Sequence, residues 1–199
     1  MKPVAMIRLS GLSPWPLAAQ RIVKDSRMPI ARPATDEYVA HFATYIDKVT
    51  EPDVVAMLAA QKQSTAKLLA GLTEPQAAYR YAPGKWSLRE IIGHLSDAER
   101  IFAYRLLRIA RGDATPLPGF DENDYVPAGQ FERRPLASVA AEFASVRDAS
   151  LTLLQGLDAE ALARRGTASG KPISARALAF IIAGHEKHHL GVIRERYLK

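Results

Sequence analysis

Ser87-Leu88-Arg89-Glu90-Ile91-Ile92-Gly93-His94-Leu95-Ser96-Asp97-Ala98-Glu99-Arg100-Ile101-Phe102 is the stretch on which the fold turns. It opens with a capping box: the Ser87 hydroxyl can accept from the Glu90 amide while the Glu90 carboxylate reaches back to the Ser87 amide. Behind that cap, Leu88, Ile91, Ile92, Leu95, Ala98, Phe102, Leu106 and Ile109 recur every three or four residues. This is the period of one buried face of a long helix, which should end at Gly112. His94 rides on the flank of that stripe.

Outward from this helix the chain reads as more of the same. Thr35 to Val49 predicts a short helix. Thr50-Glu51-Pro52-Asp53 reads as a helix start, with Thr50 as cap and proline in the first turn, carrying a helix to about Gly71. Leu136, Val139, Phe143, Val146, Ser150 and Leu154 predict another amphipathic helix, stopped by Gly156. Asp158 to Arg165 reads as a short helix, 166–172 as a turn, and Ser174 as the cap of a last helix running to about Tyr197. Residues 113–134 carry no helical period and read as a long loop, of the kind that often holds function. No segment alternates convincingly as a strand. Long helices joined by loops of unequal length indicate an all-α bundle.

Composition narrows the function classes. The chain has 199 residues, enough for one domain with a sizeable core, and no cysteine. Disulfides, Cys-type zinc sites, iron–sulfur clusters and a cysteine nucleophile are therefore excluded. The same absence is compatible with a reducing compartment, and a cytoplasmic address is expected. No apolar run is long enough to span a membrane.

The net charge is +6, but residues 1–27 hold five basic residues and one acid, which leaves 22 basic and 20 acidic residues elsewhere. The body is thus only +2, and nucleic-acid binding is not expected. Residues 1–34, with Pro14-Trp15-Pro16 and a second methionine at Met28, read as a leader distinct from a helical domain over 35–199. A flexible tail, an over-extended start, an ordered arm and a targeting segment are all readings of it. Its apolar run is too interrupted for a good secretory signal.

The five histidines are the most informative residues. On the last helix the apolar face is Leu178, Ile181, Ile182, Val192 and Ile193. His185 and His189 fall in the middle of that face, one turn apart, where two imidazoles can share a metal ion. His188 lies nearer its edge. The plainer reading is that each is a core histidine bonded to a carbonyl. Two at ligand spacing are harder to dismiss, since a buried polar group without a partner costs about 1–3 kcal/mol. His94 can supply a third ligand across a cleft, with Glu90 and Asp97 on the same side of its helix as partners or as solvated surface. His41 reads as an edge residue. His185-Glu186-Lys187-His188-His189 also fits the zinc-protease pattern H-E-x-x-H. Val192, however, stands where the extended pattern has glycine, and the motif lies ten residues from the last residue.

Trp86-Ser87-x-x-Glu90-x-x-x-His94-x-x-Asp97-x-Glu99, followed far downstream by His185-x-x-x-His189, resembles the DinB/YfiT-like superfamily. The Phe120-Asp121-Glu122 loop, the helix bearing Arg147 and the turn Gly170-Lys171-Pro172-Ile173-Ser174 share the likeness, which covers about residues 35–197. The resemblance implies a DinB-like four-helix bundle with a long crossover loop and short accessory helices. It implies a divalent metal ion, zinc or nickel first and iron or manganese as alternatives, held by His94, His185 and His189. It also implies a homodimer and a metal-dependent hydrolase or thiol S-transferase acting on a small molecule, the latter with a low-molecular-weight thiol. A non-catalytic binding or sensor module is the competing reading. Three neutral imidazoles would leave coordination positions open, as catalytic sites do. Glu186, Asp97 and Arg105 are the candidate pocket residues around them.

Overall fold

Four helices of 17 to 23 residues form the frame: α2 (Val54–Ala70), α4 (Leu88–Ala110), α6 (Leu136–Gln155) and α8 (Ala175–Val192). They are seen in a computed structural model that describes residues 29–198. α2 packs against α6 and α8, and α4 packs against the same two, so the bundle is closed by four helix pairs. Around it lie short α1 (Ala43–Ile46), α3 (Glu74–Ala78), α5 (Glu122–Gly129) and α7 (Ala159–Ala163). The all-α bundle expected from the sequence is the observed architecture, and no helix among the described residues is long and apolar enough to cross a membrane.

The capping box of α4 is formed as expected: the Ser87 amide donates to Glu90 Oε2 at 2.8 Å and the Glu90 amide to Ser87 Oγ at 3.1 Å. The apolar stripe behind it is buried, with Leu88, Ile92, Ala98 and Leu106 fully inside. α8 is capped by Ser174, whose Oγ accepts from the Ala177 amide at 3.0 Å.

Several boundaries differ from the sequence reading. The cap of α2 is Asp53, whose Oδ1 accepts from the amides of Val55 and Ala56 at 2.9 and 3.1 Å. A carboxylate is the stronger acceptor at the positive end of a helix dipole, and Thr50 is left to donate its amide to Glu51. Residues 35–49 are not one helix. The chain is extended at Tyr38 and Val39, between 3₁₀ turns, because Glu37 is drawn inward to Arg176 and the Ala34 amide.

The segment 113–134 is not all loop. Asp121 caps α5 by accepting from the Asn123 amide at 2.8 Å. α5 escaped the periodicity argument because only Val126 of its eight residues is buried. The turn at 166–172 is a hairpin, β1 (Arg165–Ala168) with antiparallel β2 (Lys171–Ser174), too short to show alternation. Its connection, Ser169 and Gly170, has φ of 52° and 71°, as a two-residue type I′ turn demands. The last helix changes to a π turn over Ile193–Tyr197.

The leader expected over 1–34 lies outside the described residues up to 28. Residues 29–34 pack on the body: Ile30 is buried, and Arg32 donates to the carbonyls of Val49 and Ile46 at 2.7 and 3.1 Å.

Candidate functional site

His94 on α4 and His185 and His189 on α8 meet where these two helices pack against each other. His185 Nε2 lies 3.2 Å from His94 Nε2 and 3.1 Å from His189 Nε2, and the ligating atoms of all three fall within 4.8 Å of one another. His94 and His185 are buried, and His189 is the most open of the three. Burial holds all three rings neutral. His94 is pushed down to about 4, His189 to about 3, and His185 well below the ordinary histidine range, with its neighbouring imidazoles adding to the effect.

Two glycines make room for this cluster. A Cβ on Gly184 would stand 2.0 Å from the Tyr45 carbonyl oxygen, so α1 can lie directly on α8 only because residue 184 has no side chain. The Tyr45 ring then packs edge-on against His185 at 5.1 Å. A Cβ on Gly93 would meet the Phe131 ring at 2.4 Å. Phe131 thereby seats the segment after α5 beside His94.

The histidines form one side of a cavity of about 260 Å³. Its walls are largely aromatic. Trp86 stacks obliquely on His94 at 4.9 Å, and Phe102 meets His185 edge-on at 5.8 Å. Phe120 and Ser169 arrive from the far side, held there because Leu117 bridges to the hairpin: its amide donates to Thr167 O and its carbonyl accepts from the Ser169 amide, both at 2.9 Å. His41 and His188 stand on the rim, as does the exposed Glu122, the one carboxylate in the lining.

The three sequence candidates for this pocket fare differently. Arg105 lines the cavity. Asp97 does not; it lies 3.6 Å from Arg100 at the half-buried edge of α4. Glu186 also does not line it, and it faces neither the cavity nor solvent. It is 1% exposed, takes a hydrogen bond from Thr65 Oγ1 at 2.6 Å, and pairs with Arg147 Nη1 at 2.8 Å. Glu186 as a pocket residue is thereby corrected: this carboxylate is committed to the core.

Arg147 is the residue the sequence reading underused. It is wholly buried and binds Glu99 through Nε and Nη2 at 2.8 and 2.7 Å, Glu186 through Nη1, and the Leu58 carbonyl at 3.2 Å. One guanidinium on α6 thus ties α2, α4 and α8 together. Glu99 follows His94 by five residues on α4, and Glu186 adjoins His185 on α8. The network therefore fixes the two helices that carry the histidines relative to each other. Tyr45 was missed, and Trp86 and Phe120 were read only as part of the family likeness and not as cavity walls, since a lone aromatic carries no spacing signal.

The donor set fits a divalent metal. Three neutral imidazoles bring three nitrogen lone pairs together. A single proton on His185 Nε2 could satisfy only one of its two short contacts. Two nitrogens bound at about 2.0–2.1 Å to a tetrahedral ion stand about 3.3 Å apart, close to what is found here.

The comparisons agree with this architecture. A model of the DinB superfamily matches residues 57–193. No curated protein matches the chain. Among solved structures, the chain is similar to YfiT from Bacillus subtilis, with a TM-score of 0.60 and 17% identity over 83% of this chain and 90% of that one. That protein is described as a probable metal-dependent hydrolase with an unusual four-helix bundle topology, and at this identity the likeness concerns the fold. The family match runs from α2 to the end of α8 and takes in all three converging histidines, and the chain belongs to the DinB superfamily.

Proposed function

We propose that this protein is a metal-dependent hydrolase of a small molecule, with a divalent ion held by His94, His185 and His189. The observation that carries the reading is the convergence of three neutral Nε2 atoms at the wall of an aromatic-lined cavity. The description of YfiT as a metal-dependent hydrolase supports the reaction class. When bound, such an ion supplies a Lewis acid for an ester or amide carbonyl and for the water that cleaves it.

The chain's own residues do the rest. The three imidazoles stay neutral well below pH 7, so their lone pairs are available without a proton having to leave. Three neutral ligands leave the ion's charge uncancelled, which suits a Lewis acid better than a charge-neutral thiolate cage. Trp86, Phe102 and Phe120 exclude water from one side of the cavity and receive the apolar part of a substrate. The Glu99–Arg147–Glu186 network keeps His94 and His185 in register without itself reaching the cavity.

The test is elemental analysis of the purified protein and of H94A, H185A and H189A variants, followed by an ester and amide substrate screen of metal-loaded protein. About one equivalent of metal is expected in the wild type and far less in each variant. Turnover left unchanged by H185A would overturn the reading.

A further inference from the structure

We infer that the cavity is built for an organic monoanion, a carboxylate, held by Arg105. This deepens the hydrolase reading, since it names the class of molecule the same cavity takes. The inference rests on an unbalanced charge. Arg105 lies on α4, eleven residues or about three turns beyond His94, and so on the same face. Helical side chains lean towards the N-terminus, which carries this one back along the cavity towards the histidines.

Arg105 is 4% exposed, and burial pulls its pKa down from the usual arginine value. Its Nη2 donates to the Pro118 carbonyl at 2.6 Å and to Ser169 Oγ at 3.1 Å. Both acceptors are neutral. Among the described residues, every other buried or half-buried arginine has a carboxylate within 4.0 Å, including Arg147 and Arg89 in the core. Arg105 alone has none.

A guanidinium has five N–H donors, and three of them, on Nε and Nη1, meet no acceptor among the described residues. They are not sealed off either, unlike Nε of Arg89, which is buried without a partner. Arg105 itself lines the cavity, which leaves these donors to a ligand there.

Holding the Leu117–Phe120 segment to the hairpin would need only a neutral donor. A buried charge is costly unless paired, and no carboxylate among the described residues pairs with this one, which leaves the place open to a bound anion. The lining offers one permanent cation, three neutral ligand histidines and a single exposed carboxylate, Glu122. Glu122 is exposed and makes no ion pair with Arg105, so in metal-free protein one bound carboxylate pairs this guanidinium, whereas a phosphate dianion would be left half-neutralised. Phe120, with its ring 5.7 Å from the Arg105 guanidinium carbon, and Phe102 next to it provide an apolar bed for the body of such a molecule.

The test compares 3-phenylpropanoate with the isosteric 3-phenylpropanamide by calorimetry, on full-length protein treated with chelator so that no metal can bind the anion. Wild type should prefer the carboxylate at least tenfold, and inorganic phosphate should not displace it at equal concentration. R105Q, which keeps donors for Pro118 and Ser169 but no charge, should bind both compounds alike. A wild type that does not discriminate, an R105Q that still does, or a preference that appears only in metal-loaded protein would each overturn the inference. Displacement by phosphate would also do so. Should R105Q fail to fold, the wild type answers alone: the Arg105 Nε–Hε resonance must shift with the carboxylate and not with the amide, and an unmoved resonance refutes the assignment. Because the binding arm is metal-free and the metal reading rests on elemental analysis, failure of one leaves the other standing.

Discussion

Replacing Arg147 with methionine removes the one cation that, among the described residues, pairs with the buried carboxylates Glu99 and Glu186. The side chains of Glu99 and Glu186 are 4% and 1% exposed, so water cannot stand in for the guanidinium. Breaking a buried ion pair from one side costs about 3–5 kcal/mol. Here one arginine serves two acids, and an independent route gives a similar figure. If both acids respond by taking up a proton, each costs about 1.4 kcal/mol per unit between its unfolded pKa near 4.3 and the working pH. That is about 3.7 kcal/mol each at pH 7, and about 1 kcal/mol each at pH 5. The cost of R147M should therefore be about 5–7 kcal/mol at pH 7 and should shrink to about 2 kcal/mol at pH 5. The sign follows from linkage: without Arg147 the folded state holds more protons than the unfolded one, so the variant gains stability relative to wild type as pH falls. Glu186 already shows the tendency, since burial raises its pKa even with Arg147 present. Urea denaturation of both proteins at the two pH values measures this, and taking the difference cancels titrations they share. A cost below about 1.5 kcal/mol, or one indifferent to pH, would refute the reasoning. The triple variant R147M/E99L/E186L should recover most of the loss, because apolar groups of similar size carry no desolvation penalty.

Three further outcomes are expected. G184A should destabilise the protein by about 3 kcal/mol, although alanine is by propensity the better helix former by about 1 kcal/mol, because its Cβ would collide with the Tyr45 carbonyl; a stabilised variant in urea denaturation would contradict the packing. Metal-free protein should lose stability as pH falls below about 6.5, since the unfolded histidines take up protons that the folded ones refuse down to about 4 for His94 and about 3 for His189. By pH 5 each contributes about 2 kcal/mol of loss, His185 acting in the same direction; a chelator-treated H94Q/H189Q variant should show a much flatter urea midpoint against pH, and an equally steep one would count against the burial argument. Zinc or nickel at a hundredfold excess over its dissociation constant should add about 2.7 kcal/mol, hence about 5–11 °C in Tm, and H185A should abolish that shift; a melting curve unmoved by metal would argue against a bound ion.

What the sequence disclosed depended on how local each signal was. The α4 cap needs Ser87 and Glu90, three residues apart, and was readable. So was the shared face of His185 and His189, because four residues is one turn of helix. His94 was placed on the flank of its stripe and proves to be buried, because the face of α4 turned to α8 is wider than its apolar residues alone suggest. The hairpin was missed because its strands are four residues each, and its identity rests on the left-handed pair Ser169 and Gly170. The unbalanced charge of Arg105 was invisible, since a sequence cannot show which carboxylates are absent from a side chain's surroundings.

Glu186 shows why the rest could not be read. In residue type and spacing, His185-Glu186-Lys187-His188-His189 matches a zinc-protease helix, in which a glutamate at this position does serve as base. Helix geometry does not forbid that role here, for a residue one step from His185 is turned by only about 100°. What removes it is a partner 39 residues upstream. Arg147, already gripped on two nitrogens by Glu99, reaches Glu186 with the third, and Thr65 on α2 takes the other carboxylate oxygen. With both oxygens engaged in the core, Glu186 has neither a free lone pair aimed at the cavity nor a path to it. The same five-residue word thus gives a catalytic base in one fold and a buried brace in another. The deciding residue lies on a different helix, and its role exists only once four helices have closed around it.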